Sequence, residues 1–204
     1  PTPDTPFGLH DLVDDLEALR SALSVECAHF AGHSLGGMIG PAYARRYPER
    51  VRSLGLWSTA AFRTPDDSAK VNAVVSAMRE KGISQVLDTL SARWFTDEFT
   101  AQRPDLIEKR KQQVIDTPAE VFLNVFDIYA QTEMAPWLHE ISVPCQLVTG
   151  AQDGGCNPRL NREMADALPN AELIILDHLK HAIFIEATER VLPVVREFLI
   201  RQDD

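Results

Sequence analysis

The sequence predicts an α/β protein: a parallel-sheet core with flanking helices, interrupted by an all-helical cap insertion. Three observations carry that prediction. Apolar runs at Val25–Ala31, Val51–Trp57, Gln146–Gly150 and Glu172–Leu176 have the length and side-chain bulk of buried parallel strands. Between the second and third runs the periodicity is helical from Ala69 to about Leu138, with no strand signal in that stretch. The first run leads through Gly32-His33-Ser34-Leu35-Gly36 into a helix-forming stretch, as a tight strand-to-helix turn would.

The elements follow in order. Pro1–Gly8 holds three prolines and reads as a loop. Leu9, Leu12, Val13, Leu16, Leu19 and Leu23 recur at helical spacing, with Asp11, Asp14, Asp15 and Glu17 on the other face. After the first strand, Met38–Tyr47 predicts a helix whose small residues allow close packing on a sheet, and Pro48 ends it. Helices are expected near Ala69–Lys81, Ile83–Trp94, Pro104–Asp116 and Pro118–Ala130, broken at Gly82, Pro104 and Thr117-Pro118. Strand and helix then alternate again, with helices at about Pro158–Leu168 and Thr188–Arg201. Residues 1–60 and 139–204 are therefore expected to form the core and 61–138 the cap.

Composition narrows the class. With 204 residues and 45% hydrophobic content, the chain fits one globular unit with a substantial core. A net charge of −10 argues against nucleic-acid and anionic-membrane partners, which need clustered Lys and Arg. No apolar stretch reaches membrane-spanning length and no signal peptide opens the sequence. Cys27, Cys145 and Cys156 are an odd count without metal-ligand spacing, which predicts reduced thiols, no metal and a cytoplasmic location.

The chemistry centres on Ser34. A serine hydroxyl is a weak nucleophile at its free pKa, so it must stand clear on a sharp turn. There a histidine can take its proton, and backbone N–H groups can face the developing oxyanion. Gly32 and Gly36 are expected to give room where strand and helix approach. Ligands of an open parallel sheet bind beyond the carboxyl ends of its strands. Asp153 follows the third run; His178 and His181 follow the fourth. His181 lies further into its loop and is the preferred base, with His178 closer to the strand in a supporting role. Ser34, Asp153 and His181 are thus the candidate catalytic residues, the Leu35 N–H the candidate oxyanion donor, and no cofactor is implied.

Four segments carry a family resemblance: Gly32–Gly37, Ala44–Val51, Val143–Asp153 and the histidine segment His178–Glu186. Together they resemble the α/β-hydrolase superfamily, whose triad runs in the order Ser, Asp, His. Ala92-Arg93-Trp94-Phe95-Thr96 followed by Phe99 resembles the cap of 3-oxoadipate enol-lactonases, which open β-ketoadipate enol-lactone in protocatechuate and catechol breakdown. The resemblance implies hydrolysis of a small ester or lactone. Alternatives are a general carboxylesterase, a carbon–carbon-bond hydrolase of ring-fission products, or a non-catalytic hydrolase-like binding protein. Substrate-contact candidates in the cap are Trp94, Phe95, Met134 and Trp137, with Arg93 as the cation for an anionic lactone.

The family pattern also includes earlier strands, a His-Gly oxyanion loop and an Asp-x-Arg-Gly-x-Gly turn before the first helix, none of which is in this sequence. The expectation is that an N-terminal segment, missing here or on a separate polypeptide, supplies these strands and the second oxyanion donor. Self-association at the open strand edge is the other possibility.

Overall fold

A computed structural model describes residue 3 and residues 5–203. Of the loop read at Pro1–Gly8, residues 1, 2 and 4 lie outside the described residues; the rest of it holds no helix or strand. Four strands, β1 (Ala28–His33), β2 (Val51–Trp57), β3 (Cys145–Gly150) and β4 (Ala171–Leu176), lie side by side in chain order, all parallel. Their register pairs His33 with Trp57, Trp57 with Val148 and Gly150 with Leu176, so the carboxyl ends gather at one edge. That edge carries the site.

Side-chain alternation along the strands divides the core into two faces. Leu147 packs with Leu54, Leu56, Met38 and Tyr43 of α2 (Gly36–Arg46), Val13 of α1 (Leu9–Ala22), and Met164 of α8 (Pro158–Ala167). Its neighbour Val148 points the other way, into Leu176, Ile183 of α9 (Ile183–Glu186), and Val191 and Val195 of α10 (Thr188–Asp203). All six β3 residues are buried, while β1 has none fully buried and, among the described residues, pairs with β2 alone. Burying each large apolar side chain on β2 and β3 contributes roughly 1.5–3 kcal/mol.

The stretch between β2 and β3 folds as α3 (Pro65–Lys81), α4 (Ile83–Trp94), α5 (Asp97–Gln102), α6 (Pro104–Asp116) and α7 (Ala119–Gln131). These helices build their own apolar cluster from Val75, Met78, Leu87, Leu90, Val114 and Phe122. α3 starts four residues before the predicted Ala69. Thr64 caps it, its hydroxyl accepting from the Asp67 N–H at 3.2 Å while the Asp67 carboxylate accepts from the Thr64 N–H at 3.0 Å.

The first strand begins at Ala28, not Val25. The Val25 N–H donates to the Arg20 carbonyl at 3.2 Å and the Arg20 guanidinium donates to the Val25 carbonyl. Both backbone groups of Val25 are tied to the end of α1 and cannot join a ladder.

Candidate active site

Ser34 sits between β1 and α2 with φ of 56°, in the left-handed region that a non-glycine residue enters at a cost of about 1–3 kcal/mol. Its N–H is anchored to the Trp57 carbonyl at 2.8 Å. The turn closes so tightly that a Cβ on Gly32 would lie 2.1 Å from the carbonyl carbon of Gly36. Gly36 itself differs from expectation, since a Cβ there would meet nothing within 4 Å. The close helix contact belongs to Gly37, where a Cβ would come within 2.6 Å of Thr59. Next to the serine, the N–H groups of Gly37 and Met38 donate to the carbonyls of Ser34 and Leu35. Among the described residues, the Leu35 N–H at the start of α2 is in no such turn or cap bond.

Asp153 follows β3 and is 3% exposed. One carboxylate oxygen accepts from the N–H groups of Gly155 and Cys156, at 2.9 and 2.8 Å. The other meets His181 Nδ1 at 2.7 Å. Burial works against the Asp153 charge, but His181 and the two N–H groups outweigh it and hold the carboxyl below its ordinary pKa. Burial likewise disfavours the His181 imidazolium, and the facing carboxylate more than offsets that, so the ring is more basic than an ordinary imidazole.

The aspartate and histidine loops are laced together where Gly150 ends β3. A Cβ at Gly150 would stand 2.3 Å from the Lys180 carbonyl oxygen and 2.4 Å from that of Leu179. With the glycine, the loop crosses close enough for the Gln152 N–H to donate to the Leu179 carbonyl at 2.8 Å. His178, by contrast, is exposed on a turn with φ of 62° and does not line the cavity.

The serine turn is also tied to the histidine loop. His33 Nε2–H donates to the His181 carbonyl at 2.8 Å, and the two rings lie 4.7 Å apart. Burial, aided by the His181 charge, pulls His33 down to about 4, so it is neutral near neutral pH. From the cap side, the Ala182 N–H donates to the Trp94 carbonyl at 2.9 Å, and the Glu186 carboxylate accepts from the Thr96 N–H at 3.1 Å. The sequence places His33 beside the serine and Glu186 in the histidine segment but assigns neither a bond, because their partners are remote in the chain.

Ser34, Leu35, Asp153 and His181 line one cavity of about 680 Å³ beneath the cap. Trp94, Phe95 and Arg93 line it too, with Arg93 exposed and Phe95 stacked on Phe99 at 5.7 Å. Met134 and Trp137 do not. Met134 is fully buried in the core cluster that includes Met38 and Tyr43, and Trp137 borders a separate groove, where Arg45 lies over its ring at 5.2 Å. Both follow the end of α7, where the chain has already turned back toward the sheet.

Cys156 and Tyr129 complete the wall behind the Asp153–His181 pair, the phenol meeting the thiol at 3.2 Å. Ligand atoms of Asp153, Cys156 and His181 lie within 4.8 Å of one another. The geometry is that of a hydrogen-bonded pair. Two ligands of one tetrahedral zinc with bonds of about 2.0–2.2 Å would stand about 3.4 Å apart, beyond the 2.7 Å seen between His181 and Asp153.

The fold and site define an α/β hydrolase: the chain belongs to the alpha/beta hydrolase fold family, whose pattern it matches over residues 1–188. Among curated proteins it is similar to 3-oxoadipate enol-lactonase 2 of Acinetobacter baylyi, 31% identical over 152 residues, covering 74% of this chain and 56% of that protein. 3-Oxoadipate enol-lactonase 1 of the same organism is 29% identical over 145 residues, covering 71% of this chain and 54% of that protein. The chain spans about half the length of these relatives. Among solved structures, the enol-lactonase from Burkholderia xenovorans LB400 superposes with a TM-score of 0.88 at 25% identity, covering 98% of this chain and 75% of that one. No helix among the described residues is long and apolar enough to cross a membrane.

Proposed function

We propose that the protein is a serine hydrolase of small esters or lactones, with 3-oxoadipate enol-lactone as the leading substrate. One observation carries the reading: a strained serine turn and a hydrogen-bonded pair of buried Asp153 with part-exposed His181 open onto the same cavity. The similarity to two enol-lactonases supports the choice of substrate.

In this mechanism His181 Nδ1–H donates to Asp153, which leaves Nε2 free to accept a proton. Ser34 Oγ attacks the acyl carbon as its proton passes to Nε2, and the Leu35 N–H faces the oxyanion. The acyl C–O bond breaks, and the leaving oxygen takes the proton from His181; for a ring this leaves the enol, which becomes the ketone. Water then attacks the seryl ester, giving its proton to His181, and the acid departs as that proton returns to Ser34. The overall change is addition of one water across the acyl C–O bond. Trp94 and Phe95 exclude bulk water from the acyl pocket.

Initial rates on the enol-lactone, on p-nitrophenyl acetate and on a vinylogous diketone test the reading. Fast turnover of the lactone is expected. Preference for the simple ester would indicate a general carboxylesterase, cleavage of the diketone a carbon–carbon hydrolase, and no turnover of any of them a binding protein.

A further inference from the structure

Arg110 on α6 lines the cavity, half-buried, with its guanidinium over the Trp94 ring at 5.4 Å. Its hydrogen bond is to the neutral Gln113 amide oxygen, at 3.3 Å, and it enters no ion pair among the described residues. Most other arginines on the surface face an Asp or Glu. Burial holds the Arg110 pKa below the usual arginine value and no carboxylate raises it again. Its positive charge reaches the catalytic end of the cavity, where it disfavours protonation of His33 beside Ser34.

The charge balance of the cavity is opposite to that of the molecule. The chain carries a net charge of −10, yet Asp153 is the one carboxylate among the lining residues, and His181 occupies it. Two arginines, Arg93 and Arg110, line the same cavity together with apolar residues that include Val74, Leu90 and Phe126. Arg93 is exposed and solvated, whereas Arg110 is held in a partly dry site without a counter-ion, where a carboxylate gains most from pairing.

We infer that Arg110 is the residue that selects substrates bearing a carboxylate, binding that group at the cap end of the cavity while the scissile carbonyl lies at Ser34. This deepens the hydrolase reading above and rests on it. Ile107 and Val114 are buried on α6, and Arg110 shares their face at spacings of three and four residues, so the aliphatic stem packs while the guanidinium reaches the cavity.

The test compares p-nitrophenyl hydrogen glutarate with p-nitrophenyl valerate, which has a methyl in place of the carboxylate. The expected result is a higher kcat/KM for the glutarate ester. Arg110→Gln should lower that preference roughly 10- to 100-fold, and Arg110→Lys should restore much of it. Glutarate binding by calorimetry provides a second arm that needs no turnover, with the wild type binding and Arg110→Gln losing most of the affinity. Equal rates on both esters, or a preference and glutarate affinity unchanged in Arg110→Gln, would overturn the inference. Failure to hydrolyse either ester would count against the hydrolase reading instead, and glutarate binding would still decide the role of Arg110.

Discussion

Replacing Asp153 by Asn tests how the pair with His181 works. In the wild type one oxygen is fixed by the Gly155 and Cys156 N–H groups, and the other accepts from His181 Nδ1 at 2.7 Å. An Asn side chain at this buried position must keep its single oxygen on the two N–H donors, so its NH2 turns toward Nδ1. Nδ1 then has to accept, its proton moves to Nε2, and the ring can no longer take the Ser34 proton. A wrong tautomer of this kind costs about 10⁴ in rate, or about 5.4 kcal/mol in the barrier. The pH dependence follows with its sign. The raised His181 pKa means that wild-type activity falls as pH drops through a value above the ordinary ~6.5. Losing the carboxylate should move the imidazole titration, followed by NMR, downward. The assay is kcat/KM on p-nitrophenyl acetate, with circular dichroism and a thermal melt showing that the variant is folded. A folded variant losing less than about tenfold, with the imidazole titration unmoved, would refute this reasoning.

Three other predictions have different structural bases. His178→Ala should retain most activity while His181→Ala loses about 10³-fold or more, because His178 faces solvent on its turn; initial rates decide, and a dead His178 variant would contradict the assignment. Gly150→Ala should destabilise by about 1–3 kcal/mol and impair turnover, since its Cβ would collide with the Lys180 carbonyl beside His181; an unchanged denaturation midpoint and rate would show that the loop gives way freely. We propose that a further strand, from this polypeptide or another, pairs with the open side of β1; residues 1–204 alone should then self-associate or precipitate, and a monodisperse, fully active monomer in sedimentation would oppose this.

The parts of the fold governed by local chemistry were legible in the sequence. Gly82 and Pro104 mark real boundaries, so the helices at Ile83–Trp94 and Pro104–Asp116 are as read. β2 has its predicted limits because every residue but Arg52 and Trp57 is buried. The six-residue α5 is too short to show periodicity, although Thr96 caps it by accepting from the Phe99 N–H at 3.2 Å. The Asp153–His181 contact followed from chain order and strand ends. Cavity membership did not: Arg110 lines the cavity and is not among the residues the sequence suggests, while Met134 and Trp137 read as pocket residues and lie elsewhere. Which way a cap residue points depends on how five helices pack over the sheet, and no local rule in the sequence states that.

The central claim is that Ser34 becomes covalently acylated with His181 as its base. Brief exposure to a p-nitrophenyl ester, acid quenching and peptide mass mapping test it most directly. The account predicts one acyl group on the peptide carrying Ser34, absent from Ser34→Ala and strongly slowed in His181→Ala. Acylation of another residue such as Cys156, or hydrolysis undiminished in Ser34→Ala, would contradict it.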